Sequence, residues 1–211
     1  MKRIIDPALW DRKDYFEWFG AFTDPFLGLT AETECTGTYL RAKREGDSVF
    51  SALLYRIMTA LNSVENFRFR LEKGKIALYD TVHVSPTVAR DDGSFGFAFM
   101  EYSPDYDIFS RRVKAEIERV KAGKGIMTDR NSERADTVHF TTIPWFPFTD
   151  LKHPSNEPRT DSVPKIATGK IFRRGEKFFM PVSVTAHHGF VDGRHVAVFL
   201  DRLQKSMTSD S

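Results

Sequence analysis

The run Thr185-Ala186-His187-His188-Gly189-Phe190-Val191-Asp192-Gly193-Arg194-His195 gathers the residue types that can move protons, at the end of an apolar segment. Strand periodicity places Met180, Val182, Val184, Ala186 and His188 on one face and Ser183, Thr185 and His187 on the other. The two histidines then aim in opposite directions, so a chemical role belongs to one of them and not to the pair. A histidine ending a rigid strand, with glycines on both sides of the turn, suits general acid-base work because its unperturbed pKa of about 6.5 lies near working pH. Asp192 can fix the turn by accepting backbone or arginine hydrogen bonds. Two other readings stand beside this one. Both histidines can be satisfied core or surface residues, or His187, His188 and His195 can approach a zinc ion, although adjacent strand residues diverge and no thiolate is at hand.

The elements that must carry this run are legible around it. A strand over Lys177 to His187 leads into it, and a helix beginning near Gly193 leaves it with Val196, Phe199, Leu200 and Leu203 facing inward. Upstream, Asp6-Pro7 opens a helix reaching about Phe19 and ended by Gly20. The alternation of Leu27, Leu29, Ala31, Thr33 and Cys35 predicts a strand from Phe26 to Thr38. Asp47 or Ser48 caps a strongly apolar helix through Leu53, Leu54, Ile57, Met58, Leu61 and Val64. Four strand-like segments follow, at Phe67 to Leu71, Ile76 to Tyr79, Val82 to Val88 and Phe95 to Tyr102, and read as an antiparallel meander. A further amphipathic helix spans about Pro104 to Ala122. A polar loop over residues 124–135, a strand at Val138 to Ile143, a proline-rich loop over 144–164 and a strand at Val163 to Phe172 complete the chain.

Composition narrows the function classes. The chain has 211 residues, 41% of them hydrophobic and 28% charged, the usage of a folded globular protein. With 31 Lys and Arg against 29 Asp and Glu, interleaved throughout, nothing demands nucleic acid as a partner. No apolar run approaches the roughly 18 residues of a membrane span, and the first residues lack a signal-peptide core. The single cysteine, Cys35, excludes a disulfide framework and multi-thiolate metal binding and points to the cytoplasm. The 19 Phe residues call for large aromatic packing surfaces or an apolar pocket. No repeat or long linker divides residues 1–211, so one domain is expected.

The motif His187-His188-x-x-x-Asp192-Gly193, continued by Arg194-His195-Val196-Ala197 and Phe199-Leu200-x-Arg202-Leu203-Gln204, resembles the C-terminal signature of chloramphenicol acetyltransferases. Its shorter HxxxDG form is shared with lipoamide acyltransferase cores. Pro144-Trp145-Phe146-Pro147-Phe148 and Trp10-Asp11-Arg12 are similar to further segments of the first family, and the resemblance spans nearly the whole chain. It implies a two-layer α/β sandwich, a mixed or mostly antiparallel sheet covered by helices. It also implies a homotrimer with sites at the subunit interfaces, His188 facing the acceptor pocket of the neighbouring chain. The implied reaction is direct acetyl transfer from acetyl-CoA, a diffusing cosubstrate, to a hydroxyl of chloramphenicol or a similar small acceptor, with no metal and no acyl-enzyme.

By the same resemblance His188 is the general base and Asp192 pairs with Arg12. Thr141 stands where the family has a serine serving the oxyanion, with Thr142 beside it as an alternative. Phe95 matches a pocket phenylalanine and Trp145 lies near the pantetheine arm. Phe19 replaces a tyrosine that contacts the acceptor, and Ala167 replaces a threonine near the centre. Two polar contacts are thereby lost, which makes a different alcohol, or an amine, an alternative acceptor. A catalytically silent binding or assembly protein of the same fold is the remaining reading. A lipoamide-complex core is disfavoured because no lipoyl-bearing segment precedes the domain.

Overall fold

The computed structural model describes residues 1–126, 131, 134–155 and 160–208. Its centre is a mixed sheet in the strand order β2 (Phe26–Glu34), β10 (Lys177–His187), β8 (Lys165–Gly169), β7 (Thr137–Ile143), β5 (His83–Ala89) and β6 (Phe95–Phe97), with β9 (Phe172–Arg174) also on β10. The β7–β8 and β5–β7 pairs are parallel and the others antiparallel. A helical layer covers one face. There α3 (Val49–Asn62) packs against α2 (Thr36–Glu45), α4 (Tyr106–Ala122) and α5 (Gly193–Thr208). The fold is therefore the helix-covered mixed α/β sandwich that the resemblance implied.

The helix α3 forms where apolar side chains recur at helical spacing, and it buries Leu53, Leu54, Ile57, Met58 and Leu61. Ser48, not Asp47, is its cap, the hydroxyl accepting the Ser51 N–H at 3.2 Å. Opposite it, the sheet presents Val84, Val138, Phe140, Ile166, Val182 and Val184, all buried. Cross-strand register fixes the other, helix-free face. Thr141 pairs with Ala167, Ala167 with Ser183 and Ser183 with Thr30, so these four side chains share that side.

Several expectations are corrected. The first helix is not continuous from Asp6. Asp6 caps a short 3-10 turn, Pro7–Leu9, and α1 starts only at Lys13 and runs to Gly20. The strand β2 stops at Glu34, where the alternation had suggested Thr38, and residues 36–45 are helical. The β-branched Thr36 and Thr38 look strand-like locally. Tertiary contact decides otherwise, because Gly37 sits against the carbonyls of Met207 and Thr208 and the Thr38 hydroxyl donates to the Met207 carbonyl. The meander is also divided. The hairpin of β3 (Phe69–Glu72) and β4 (Lys75–Tyr79) joins the unforeseen β1 (Lys2–Ile5) in a separate antiparallel sheet, while β5 enters the large one.

Cys35 is fully buried and burial pushes its thiol up to about 12, as suits a core residue. Parts of the loops expected at 124–135 and 144–164 lie outside the described residues. No helix among the described residues is long and apolar enough to cross a membrane.

Candidate active site

The turn after β10 is held at nearly every backbone polar group. The His188 N–H donates to the Pro25 carbonyl, the Gly189 N–H to His187 Nδ1, and the Phe190 and Val191 N–H groups both to the His187 carbonyl. The Asp192 N–H donates to His195 Nδ1 at 3.1 Å. On the acceptor side, the Gly189 carbonyl takes Arg12 Nε at 3.2 Å, the Phe190 carbonyl takes Asn66 Nδ2 at 2.9 Å, and the Asp192 carbonyl takes the Val196 N–H. Gly189 has no room for a side chain, since a Cβ there would lie 2.9 Å from Phe16 Cα. The backbone around His188 is thus over-determined.

His188 itself is part-exposed, and its Nδ1 lies 3.1 Å from the Val191 carbonyl oxygen. A carbonyl only accepts, so Nδ1 carries the proton and Nε2 keeps its lone pair free. The ring lies flat on Phe19, with centroids 3.8 Å apart and planes 19° apart. That stack fixes the ring plane and presents a π-face to any positive charge that develops on the imidazole. This stacking needs no hydroxyl on the Phe19 ring.

His187 is the opposite case. It is 1% exposed among Phe16, Phe26 and Phe190, with Nε2 buried and lacking a hydrogen-bond partner among the described residues. Burial lowers its pKa to about 4, so it stays neutral and structural. The two histidines thus have different surroundings, one buried and the other part-exposed.

Arg12 Nη1 meets Asp192 Oδ2 at 2.9 Å, joining the start of α1 to the turn. Asp192 Oδ1 accepts the N–H groups of Arg194 and His195, which also ties the first turn of α5. Burial pushes the Asp192 carboxyl up, but the Arg12 hydrogen bond and the neighbouring His195 hold it below its ordinary value.

The remaining expected residues lie elsewhere. Thr141 sits part-buried on the helix-free face of β7, its hydroxyl 3.5 Å from that of Thr87. Phe95 shares that face through the β5–β6 register and is 47% exposed, and Trp145, just past β7, is 69% exposed. Thr142 points to the helical side, where its hydroxyl pairs with Thr168 at 3.1 Å beside a cavity of about 190 Å³ under α3. The pleat therefore separates the two threonines that the sequence left as alternatives. Thr87 had no signal of its own in the sequence, nor did Asn66, which reaches the turn from a 3-10 segment far upstream.

One chain does not bring His188 and Thr141 together. Thr141 is in register with Ser183 through Ala167, and His188, just past the end of β10, lies five residues beyond Ser183. At about 3.3 Å per residue and about 4.8 Å per strand, their backbones are roughly 19 Å apart.

The family model for chloramphenicol acetyltransferase matches residues 2–204. A chloramphenicol acetyltransferase from Clostridium perfringens is 29% identical over 204 residues, covering 96% of this chain and 93% of its own. One from Staphylococcus aureus is 26% identical, covering 95% and 96%. A solved chloramphenicol acetyltransferase superposes with a TM-score of 0.92 at 29% identity over 99% of this chain and all of its own. The catalytic core of a Thermoplasma acidophilum 2-oxoacid dehydrogenase complex shares the fold, with a TM-score of 0.70 at 14% identity over 97% of this chain and 94% of its own. With the match running from β1 into α5, the chain belongs to the chloramphenicol acetyltransferase family and is an acyltransferase.

Proposed function

We propose that this protein transfers acetyl from acetyl-CoA to a hydroxyl of chloramphenicol or a similar small alcohol, with His188 as general base. The observation that carries the proposal is the His188 imidazole, pinned through Nδ1 on the Val191 carbonyl and stacked on Phe19, so that Nε2 is free to accept a proton. The acceptor hydroxyl gives its proton to Nε2 as its oxygen attacks the thioester carbonyl. The C–S bond then breaks, and the CoA sulfur takes that proton back from the imidazolium. The Thr141 hydroxyl donates to the oxygen that becomes negative in between. Arg12 and Asp192 touch no reacting atom and serve by holding the turn. Phe95 and Trp145, exposed in one chain, line the acceptor and pantetheine sides in this reading. No metal takes part.

The separation of His188 from Thr141 supports a site completed by a second copy of the chain, and we place it in a cytoplasmic homotrimer of single-domain subunits spanning residues 1–211. The apolar surface at Trp18, Phe22, Phe95, Trp145 and Phe146 is available for such contacts. The alternative acceptor, another small alcohol or an amine, draws on Phe19 and on Ala167, which interrupts the hydroxyl row Thr87, Thr141, Ser183, Thr30.

The test is release of free CoA thiol from acetyl-CoA with chloramphenicol and a panel of alcohols, for the wild type and His188→Ala. Turnover that disappears in the variant is expected. Turnover that survives in His188→Ala overturns the base assignment. No turnover with any acceptor, and no binding of acetyl-CoA, leaves the silent fold as the reading. Co-expression of His188→Ala and Thr141→Val chains is expected to restore activity that neither variant has alone, because mixed assemblies contain interfaces with both groups intact. Two inactive variants that stay inactive together overturn the shared site.

A further inference from the structure

We infer that Asn66 is a positioning residue for His188, acting through the Phe190 carbonyl. The inference rests on the reading of His188 as the base. Asn66 lies in the 3-10 segment Glu65–Arg68, between α3 and the small sheet, and its Nδ2 donates to the Phe190 oxygen at 2.9 Å. The three consecutive carbonyls of the turn are each taken by a different side chain: Gly189 by Arg12, Phe190 by Asn66 and Val191 by His188. This division of acceptors is what leaves the Val191 oxygen for Nδ1.

The imidazole has two tautomers, and only the one protonated on Nδ1 offers Nε2 as a base. Its choice therefore depends on where the Val191 oxygen points. The Phe190–Val191 peptide is clamped at both ends, its N–H on the His187 carbonyl and its oxygen on Asn66. The Phe190 ring is packed against Trp10, Phe16 and Phe69, which fixes the Phe190 Cα at the start of that peptide. Without the Asn66 donor the peptide can rotate its oxygen toward another donor. The adjoining Val191 oxygen then turns away from Nδ1.

Arg12 does not substitute for this. Its bonds hold Gly189 and Asp192, on either side of the peptide in question. Asn66 thus contributes a third anchor, drawn from a different part of the fold. Its amide is matched to the task because an uncharged donor satisfies the carbonyl without adding a charge beside an imidazole that must be neutral before it accepts a proton.

The experiment combines steady-state kinetics with ¹⁵N spectra of histidine-labelled full-length protein, His188→Ala serving to assign the resonances. In the wild type His188 is expected to show a protonated Nδ1 and an unprotonated Nε2. Asn66→Ala, and the nearly isosteric Asn66→Asp that lacks the donor, are expected to show mixed tautomers. Their kcat is expected to fall on the order of tenfold, less than the 10²–10⁴-fold contribution of a general base itself. KM for acetyl-CoA is expected to stay within roughly twofold, since no binding contact is removed. Asn66→Gln, which keeps an amide donor, is expected to recover part of both signals.

A His188 spectrum and kcat unchanged in Asn66→Ala, with only a lower melting temperature, overturn the positioning role. So does a wild-type His188 that is protonated on Nε2. A tautomer shift in a protein that acetylates nothing supports the positioning and removes the acyltransfer reading. Turnover that depends on His188 but is indifferent to residue 66 does the reverse.

Discussion

The turn bearing His188 and the sheet face bearing Thr141 solve different physical problems with the same chain. In the turn, backbone donors and acceptors from His187 to Asp192 are matched by side chains brought from α1, from the segment before β3 and from the start of α5. The imidazole has one tautomer and one ring plane. On the sheet face, Thr141 rests on a regular parallel pair with one hydroxyl neighbour, and the aromatic groups near it are largely exposed. In the proposed reading the general base must be oriented before substrate arrives, and its surroundings are built within a single chain. The proposed oxyanion donor needs only a strand to point it and a second surface to close over it, the part that the proposal gives to another copy of the chain.

Substitutions can break or sharpen this contrast. The largest effect is expected at the braced half, where His188→Ala lowers kcat on the order of 10²–10⁴-fold with the fold intact by circular dichroism. A folded variant retaining most of its turnover would move the base elsewhere. Next comes the open half. Thr141→Val keeps the shape and removes the hydroxyl, for a loss of about 10²–10³-fold in kcat, whereas Thr141→Ser restores most of it. The neighbouring Thr142→Val serves as the contrast. It strands the Thr168 hydroxyl and is expected to cost about 1 kcal/mol of stability in denaturant unfolding while sparing kcat.

The turn half also carries a response to acid. His187 titrates at about 4 in the folded protein and at about 6.5 when unfolded. The unfolded chain therefore binds the extra proton between those values, and stability falls as pH drops from about 6.5 to about 4, by on the order of 3 kcal/mol. Melting temperatures measured across that range should decline less steeply in His187→Gln, and an unchanged slope would clear His187. Arg12→Met is expected to cost about 1–3 kcal/mol, the value of a hydrogen bond to a charged group, because Asp192 remains 32% exposed and water partly replaces the lost partner. The loss should shrink below the ordinary carboxylate range, where Asp192 is protonated and needs no cation. A cost independent of pH would assign Arg12 to packing alone.

Legibility followed locality. The apolar face of α3, the strand β10 and the helix after Gly193 lie in short windows whose periods of 3.6 and 2 are set by backbone geometry, and all three were readable. That the two histidines differ in their surroundings was readable for the same reason. Arg12 was not visible from spacing, since it reaches Asp192 across 180 positions, and only the resemblance to a known family pointed to it. Asn66 and Thr87 left no trace. An asparagine in a loop and a threonine in a strand are ordinary there, and their partners are distant in sequence.

By itself the sequence determined which segments are amphipathic, where the turn after β10 must fall and that the two histidines there cannot share one role. Each of those follows from torsion angles and side-chain spacing within about a dozen residues. Only the tertiary structure decided that residues 36–45 leave the strand for a helix, that the meander divides between two sheets and that Thr141 rather than Thr142 faces away from the core. It also set the distance between His188 and Thr141. Those outcomes depend on which distant segments close on one another, a choice governed by the burial and pairing of the whole chain.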